Sequence, residues 1–348
     1  QTNAGRLPCP MLRFAQPDRS VGFGRDGRSS HKRRRIWYNV GMKGPQMLLI
    51  DPNDRPQLQA LEERFAPGTG FLNRSGGSPR PDTTAWAVLA LRAAGSESPS
   101  IEEGRRTLVA MQDPDGRICV GPQHPSAYWP TPLAVLAWQG APAYDGPREK
   151  AIEFLLSFAE IGIPEAVGPE GGHDVTIRGW PWIAGAHPWV EPTSYTTLAL
   201  RACGYSAHSR MQDAIRMLLD RQLPSGGWNS GNTITFGLEM RPAPESTGIA
   251  LQALAGLTPK ETVTHSIAYM QKELEFVHAP MSVAWAILGL HAWGQTVDRP
   301  QERIRQVLAR QEKLGPYDTT SLSLLLLAWH CGRGLIPFLC PDFAQDKA

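Results

Sequence analysis

The chain has 348 residues, 41% hydrophobic and 20% charged, with a formal net charge of +2. That length buries a sizeable core without disulfides or metals. The longest apolar run, at 322–329, is far short of the roughly 20 residues that span a bilayer. The five cysteines (Cys9, Cys119, Cys203, Cys331, Cys340) show no CxxC spacing. A disulfide framework is excluded on that spacing, and a reducing cytoplasm is the expected compartment.

The first segment stands apart. Residues 1–46 hold ten of the 35 Lys and Arg but only two of the 33 Asp and Glu, about +8, leaving about −6 to the rest. The basic run at 31–35 could be read as a nucleic-acid or anionic-lipid patch. A polar, disordered tail is the simpler account, and no nucleic-acid partner is expected. The chain opens with Gln and lacks the apolar core of a secretory signal, so Met42 or Met47 is the expected natural start.

From residue 47 to 335 one pattern recurs six times. An apolar Ala/Leu run ends in Gly at Gly95, Gly140, Gly204, Gly256, Gly294 and Gly332, at intervals of 45, 64, 52, 38 and 38 residues. Gly beyond an apolar run is a helix stop, because it takes the left-handed conformation without a Cβ clash. Repetition at this period signals a helical repeat array. An amphipathic segment precedes each run: 54–66, 99–112, 147–160, 207–223, 259–274 and 298–313. In the last, Ile304, Val307, Leu308 and Gln311 share one helical face. The Gly-terminated runs are apolar nearly all round, as in helices covered on both sides. The prediction is an all-α fold of six hairpins, each an amphipathic outer helix and a buried inner one. Closing them into an α6/α6 toroid would cover both flanks of the inner layer; an open superhelical array is the alternative. Residues 336–348 form a C-terminal tail. The LIPFL stretch at 335–339 either packs on the ring or makes a peripheral contact with a membrane surface.

The joints between helices carry a second signature. LLDRQLPSGGWN places Gln222 four residues before Gly226-Gly227-Trp228, and weaker copies occur at Gln112/Gly116 and Gln311/Gly315/Tyr317, with a remnant at Gln271. Gln satisfies backbone groups left open where one helix ends and the next begins. These joints resemble the QW repeats of the prenyltransferase and squalene-oxidase repeat superfamily, over about residues 50–335. GWPWIAGAHPWVEPT (179–193) and GGWNSGNTITFGLEMRPAPEST (226–247) carry a closer likeness to squalene-cyclase-like bacterial repeat proteins. The resemblance implies an α6/α6 toroid whose central cavity handles an isoprenoid chain, a small hydrophobic ligand. The catalytic strings of those relatives are absent: no Asp-x-Asp-Asp, no Asp-Asp-x-x-Asp and no zinc-binding Asp-x-Cys. No metal and no cofactor are therefore expected, and whether the chain is an enzyme stays open.

Two joints are longer than the others, at about 161–191 and 224–245. Long loops in a compact domain are functional or disordered, and these are rich in aromatics: Trp180, Trp182, Trp189, Trp228 and Phe236. With His187 they are the candidate substrate-binding residues; His173 and Asp174 are secondary. Aromatic faces suit isoprenoid double bonds and transient cations, or a sugar ring. Acids stand at four inner-helix starts: Asp82, Glu191, Glu245 and Asp318. Helix capping accounts for each. The repeat order also sets Glu191 beside Glu245 and Asp82 beside Asp318, and paired carboxylates can yield a general acid. Three readings follow: an isoprenoid-handling enzyme of the terpene-cyclase or prenyltransferase type, a non-catalytic lipid-binding or scaffold toroid, and a carbohydrate-active enzyme. A deep apolar cavity would favour the first, a filled ring the second and a wide polar cleft the third. Oligomeric state is not legible.

Overall fold

The computed structural model describes residues 55–157 and 172–340. The basic segment 1–46, with Met42 and Met47, lies outside the described residues, as do 158–171 of the third joint and 341–348. The chain divides into Gln1–Met47 and Leu48–Ala348, and the described residues all belong to the second unit.

Six hairpins succeed one another: α1 (Arg55–Glu62) and α2 (Pro81–Ala93), α3 (Ser100–Ala110) and α4 (Thr131–Trp138), α5 (Asp145–Ser157) and α6 (Val190–Ala202), α7 (Ser209–Asp220) and α8 (Pro244–Leu254), α9 (Thr264–Leu274) and α10 (Pro280–Ala292), α11 (Pro300–Ala309) and, after the one-turn α12 (Gln311–Leu314), α13 (Thr319–His330). A short α14 (Leu335–Leu339) comes last. The described residues are mostly helical. Their strands are two short antiparallel hairpins in the joints, β1 (Phe65–Ala66) with β2 (Gly70–Phe71) and β3 (Ile234–Thr235) with β4 (Leu238–Glu239). Phe65 faces Phe71 in the first, and Thr235 faces Leu238 in the second.

The amphipathic and all-apolar segments separate as their patterns require. Every residue of α4 is buried, whereas α7 buries Arg210, Met211, Ala214, Met217 and Leu218, a single helical stripe. Each inner helix packs against the next (α2 on α4, α4 on α6, α6 on α8, α8 on α10, α10 on α13), and α13 packs on α2. The α8–α10 contact is the tightest. A Cβ on Gly248 would lie 2.4 Å from the Trp285 carbonyl oxygen, and one on Gly289 would lie 3.0 Å from Gly248 Cα. Only glycines let these backbones meet.

Five of the six repeat glycines end their helices in the left-handed conformation. At Gly95 the amide of Ser96 reaches Leu91 O at 2.9 Å and that of Gly95 reaches Arg92 O at 3.0 Å, the double bond of a Schellman cap. Gly332 departs from this rule. After α13 the positive φ, +84°, belongs to Gly334, whose amide bonds Cys331 O at 2.9 Å. The chain there must turn into α14 rather than into another outer helix.

At their C-terminal ends the inner helices are stitched to one another. Arg92 Nη1 donates to Leu136 O at 3.4 Å, and Gln139 Nε2 to Ala202 O at 2.8 Å. Arg201 donates to Ala255 O, and Gln252 to Leu288 O. Each donor meets a carbonyl near the C-terminal end of the next helix, where carbonyls are short of intrahelical partners. Burial and the neighbouring Arg105 charge bring the Arg92 guanidinium down to about 10. The LIPFL stretch is α14, with Leu335, Ile336 and Leu339 buried. Leu335 N donates to Gln252 Oε1 at 3.1 Å, and Cys340 Sγ contacts Ala202 O at 2.9 Å.

Candidate functional site

The N-terminal ends of the inner helices, where the two long joints enter, are built on threonines. Thr84, Thr131, Thr193 and Thr247 accept, through Oγ1, the backbone N–H groups of Phe71 (3.0 Å), Ile118 (2.9 Å), Trp180 (3.0 Å) and Trp228 (2.9 Å). The spacing is 13 residues in the first three and 19 in the fourth. Each threonine thus pins the backbone of a buried apolar joint residue against the start of the inner helix it leads into. At α13 the arrangement changes, with Thr319 N bonding Asn73 O at 2.9 Å and Arg64 Nη1 donating to Thr319 Oγ1 at 3.2 Å. The sixth inner helix is therefore tied to the first joint.

Gln112 meets backbone carbonyls as expected, whereas Gln222 meets a serine hydroxyl on the next outer helix. Gln112 Nε2 bonds Gly116 O at 3.0 Å and Pro147 O at 2.9 Å. Gln222 Nε2 bonds Ser266 Oγ at 2.7 Å, and Gly227 N donates to the same oxygen at 2.7 Å. Trp228 is fully buried, with its indole N–H on Leu218 O at 2.6 Å. Trp180 is 1% exposed; its indole N–H reaches Leu155 O at 3.1 Å, and Arg210 lies 4.4 Å over its ring. Both candidate tryptophans are joint seals with no face left for a substrate.

The centre of the inner layer is aromatic. Trp86 of α2, Tyr195 of α6 and Trp285 of α10 come from alternate inner helices. Their ring centroids lie 5.9 Å (Trp86–Tyr195), 5.7 Å (Trp86–Trp285) and 6.5 Å (Tyr195–Trp285) apart. They are 2%, 8% and 1% exposed, in the order Trp86, Tyr195, Trp285. Trp129 stacks on Tyr195 at 6.5 Å and meets Trp182 edge-on at 5.1 Å. Of the predicted aromatics, Trp182 alone joins this cluster. His187 and Trp189 form a separate half-buried pair with centroids 4.5 Å apart. Phe236 is not in the mouth. It sits at the tip of the β3–β4 hairpin, 99% exposed, with φ +52°, a conformation that the tight two-residue turn demands and a bulky residue resists.

The four acids are placed individually. Asp318 is the N-cap of α13, accepting Ser321 N at 2.8 Å. Asp82 takes both arms of Arg80, Nε at 2.9 Å and Nη2 at 3.2 Å. Glu191 accepts the hydroxyl of Ser246 on α8, and Glu245 that of Ser282 on α10. Each of the four carboxylates thus has a serine, arginine or backbone partner of its own. The second oxygen of Glu191 has neither a hydrogen-bond partner nor solvent contact. Burial first, and then the charges of Glu191 and Asp82, push the Tyr195 phenol well above its usual range. Glu191 and Asp82 therefore flank one phenol. Among the described residues no three His, Cys, Asp or Glu side chains are grouped to hold a metal.

Among the described residues, three cavities lie away from the aromatic cluster, one of them about 480 Å³ at His291, Gln295, Arg333 and Pro337. A second, of about 430 Å³, opens between α9 and α11 at Leu274, Glu275, Val297 and Arg303. A third, of about 380 Å³, lies at the C-terminal ends, lined by Arg201, Gln252, Arg333 and Ile336.

Sequence reasoning missed Trp86, Tyr195 and Trp285. A signal was present in two of the three. Asp82 and Trp86 are four residues apart, as are Glu191 and Tyr195, a spacing that puts acid and ring on one helical face.

Fold and site define a helical-repeat protein of the all-α class. No protein-family model matches the chain, and no curated protein matches it either. A crystal structure of a protein from Actinoplanes is similar, with a TM-score of 0.52 at 16% identity, covering 80% of this chain and 98% of that one. That likeness shows the fold alone.

Proposed function

We propose that the six hairpins close into an α6/α6 toroid and that the toroid is a non-catalytic scaffold. Closure is supported by the cyclic order of inner-helix contacts, α13 on α2 included, and by the tie from Arg64 to Thr319. The scaffold reading rests on one observation: Trp86, Tyr195 and Trp285 occupy the middle of the inner layer with almost no exposed surface. A substrate chamber needs that space, and α14 covers inner-helix ends at the opposite side. No helix of the described residues is long and apolar enough to cross a membrane. Cys119, Cys203 and Cys331 are free thiols, which suits a reducing, cytoplasmic compartment. The test is to incubate the full chain with farnesyl diphosphate, geranylgeranyl diphosphate and squalene, monitoring product formation and thermal shift. The expected result is neither product nor a saturable shift.

The isoprenoid reading keeps one observation in its favour. Half-buried Trp129 and Trp182 lie beside Tyr195 and Glu191, whose second carboxylate oxygen is unpartnered. A saturable shift abolished by Glu191→Gln would replace the scaffold reading with this one.

A further inference from the structure

Arg221 comes directly after α7 and is completely buried. Its Nη1 donates to Asp220 Oδ2 at 2.5 Å and to Asp174 O at 3.2 Å. Among the described residues its Nε and Nη2 have no acceptor. These two N–H groups form the side-on edge of the guanidinium, a parallel pair matched to two oxygens of one anion. The protein itself shows that match, since Arg80 presents the same two nitrogens to the two oxygens of Asp82. At Arg221 the equivalent carboxylate is missing. Asp220 engages Nη1, and the Asp174 carboxylate is turned to Thr176 N at 2.8 Å and Thr176 Oγ1 at 2.6 Å.

A third unmet nitrogen belongs to the third joint, which Arg221 reaches through Asp174 O. His187 Nε2 is buried without a partner, its ring held against Trp189. The Arg221 charge reaches it, adding to burial in lowering the His187 pKa. Trp189 in turn lies against Gly231 of the next joint, where an added Cβ would come within 3.3 Å of the ring. Three unmet nitrogens thus lie between the two longest joints of the chain. Buried donors without acceptors are costly, more so when charged.

We propose that Arg221 Nε and Nη2, with His187 Nε2, form a binding site for a small oxyanion, a phosphate or a carboxylate. The site is independent of the scaffold reading, because it lies in the joints and needs no central chamber.

The test titrates the full chain with sodium phosphate, sodium acetate and, at matched ionic strength, sodium chloride, monitoring thermal unfolding and calorimetric binding. A saturable rise in melting temperature with phosphate or with acetate, absent with chloride, is expected; the anion that saturates at lower concentration assigns the class. Arg221→Lys keeps the charge but removes the fork, and should abolish the effect. Should Arg221→Lys fail to fold, His187→Phe in the half-buried loop removes one donor and should weaken binding about tenfold. A wild-type response equal to that in chloride overturns the site and assigns the unmet donors to water. Undiminished binding in Arg221→Lys, or in His187→Phe, overturns it as well.

Discussion

The two ends of the inner helices are held by opposite chemistry. At the N-terminal ends the side chains offer acceptors: Thr84, Thr131, Thr193 and Thr247 take backbone N–H groups of the joints, and Glu191 and Glu245 take serine hydroxyls. At the C-terminal ends they offer donors: Arg92, Gln139, Arg201 and Gln252 reach carbonyls of the neighbouring helix. The helix dipole explains the division, since acids are favoured at the positive N-terminus and cations at the negative C-terminus. The acids can therefore be placed without invoking a reaction. The ends also differ in what covers them: aromatic joints at one, α14 at the other.

Five substitutions probe this contrast and its surroundings, ordered by expected effect. Trp285→Ala empties the point where three inner helices meet and should cost about 3–5 kcal/mol, read as a lowered urea midpoint at unchanged slope. A cost below about 1 kcal/mol would mean the cluster is loosely packed and the centre accessible. Next, Gln252→Leu removes the bond to Leu288 O and the acceptor of Leu335 N together. It should cost about 1–3 kcal/mol for buried groups left unmet and increase proteolysis near α14. Protection of α14 equal to wild type would show that the C-terminal stitching is dispensable.

At the opposite end, Asp318→Ala deletes a helix cap and should cost about 1 kcal/mol. Glu191→Gln keeps an acceptor for Ser246 and should cost less than about 1 kcal/mol. If Glu191→Gln proves the more damaging of the two, that carboxylate has a role beyond holding Ser246. A still smaller effect is expected at the tip of the β3–β4 hairpin, away from both ends. Phe236→Asn suits the left-handed turn and should stabilise the protein by less than about 1 kcal/mol. Destabilisation would show that the exposed ring has a partner.

Chemical labelling gives an independent check on burial. Burial holds the Cys203 and Cys331 thiols up at about 12. The thiolate is the reactive form, so at pH 8 both should label slowly with iodoacetamide in the native protein. Labelling should quicken on unfolding in urea. Rapid native labelling of either would place it outside the packed ends of α6 and α13.

Much of the architecture is set by periodicity, because helix patterns are local. The outer stripe of Ile304 and Val307, the all-apolar run of α4 and the glycine stops are visible in short windows of sequence, and the hairpins lie where those windows put them. That Gln222 belongs to a helix joint was legible for the same reason, but its partner was not, since Ser266 lies 44 residues away on α9. The exception, Gly332, shows the limit: the path of the chain after α13 depends on α14 docking against distant Gln252.

The candidate site depended on tertiary structure. Trp180 and Trp182 are two residues apart, yet one is a sealed joint and the other joins the central cluster. Loop composition does not encode that difference, because it depends on which helix each ring meets. The meeting of Trp86, Tyr195 and Trp285 spans nearly two hundred residues of chain and exists only when the first, third and fifth inner helices pack together. The unmet edge of Arg221 is of the same kind: in sequence it is one arginine in a helix joint, and only folding buries two of its nitrogens without a hydrogen-bond partner among the described residues. Local spacing determines which faces are apolar, while the partners those faces find, and the polar atoms left without one, are decided by contacts between segments far apart in the chain.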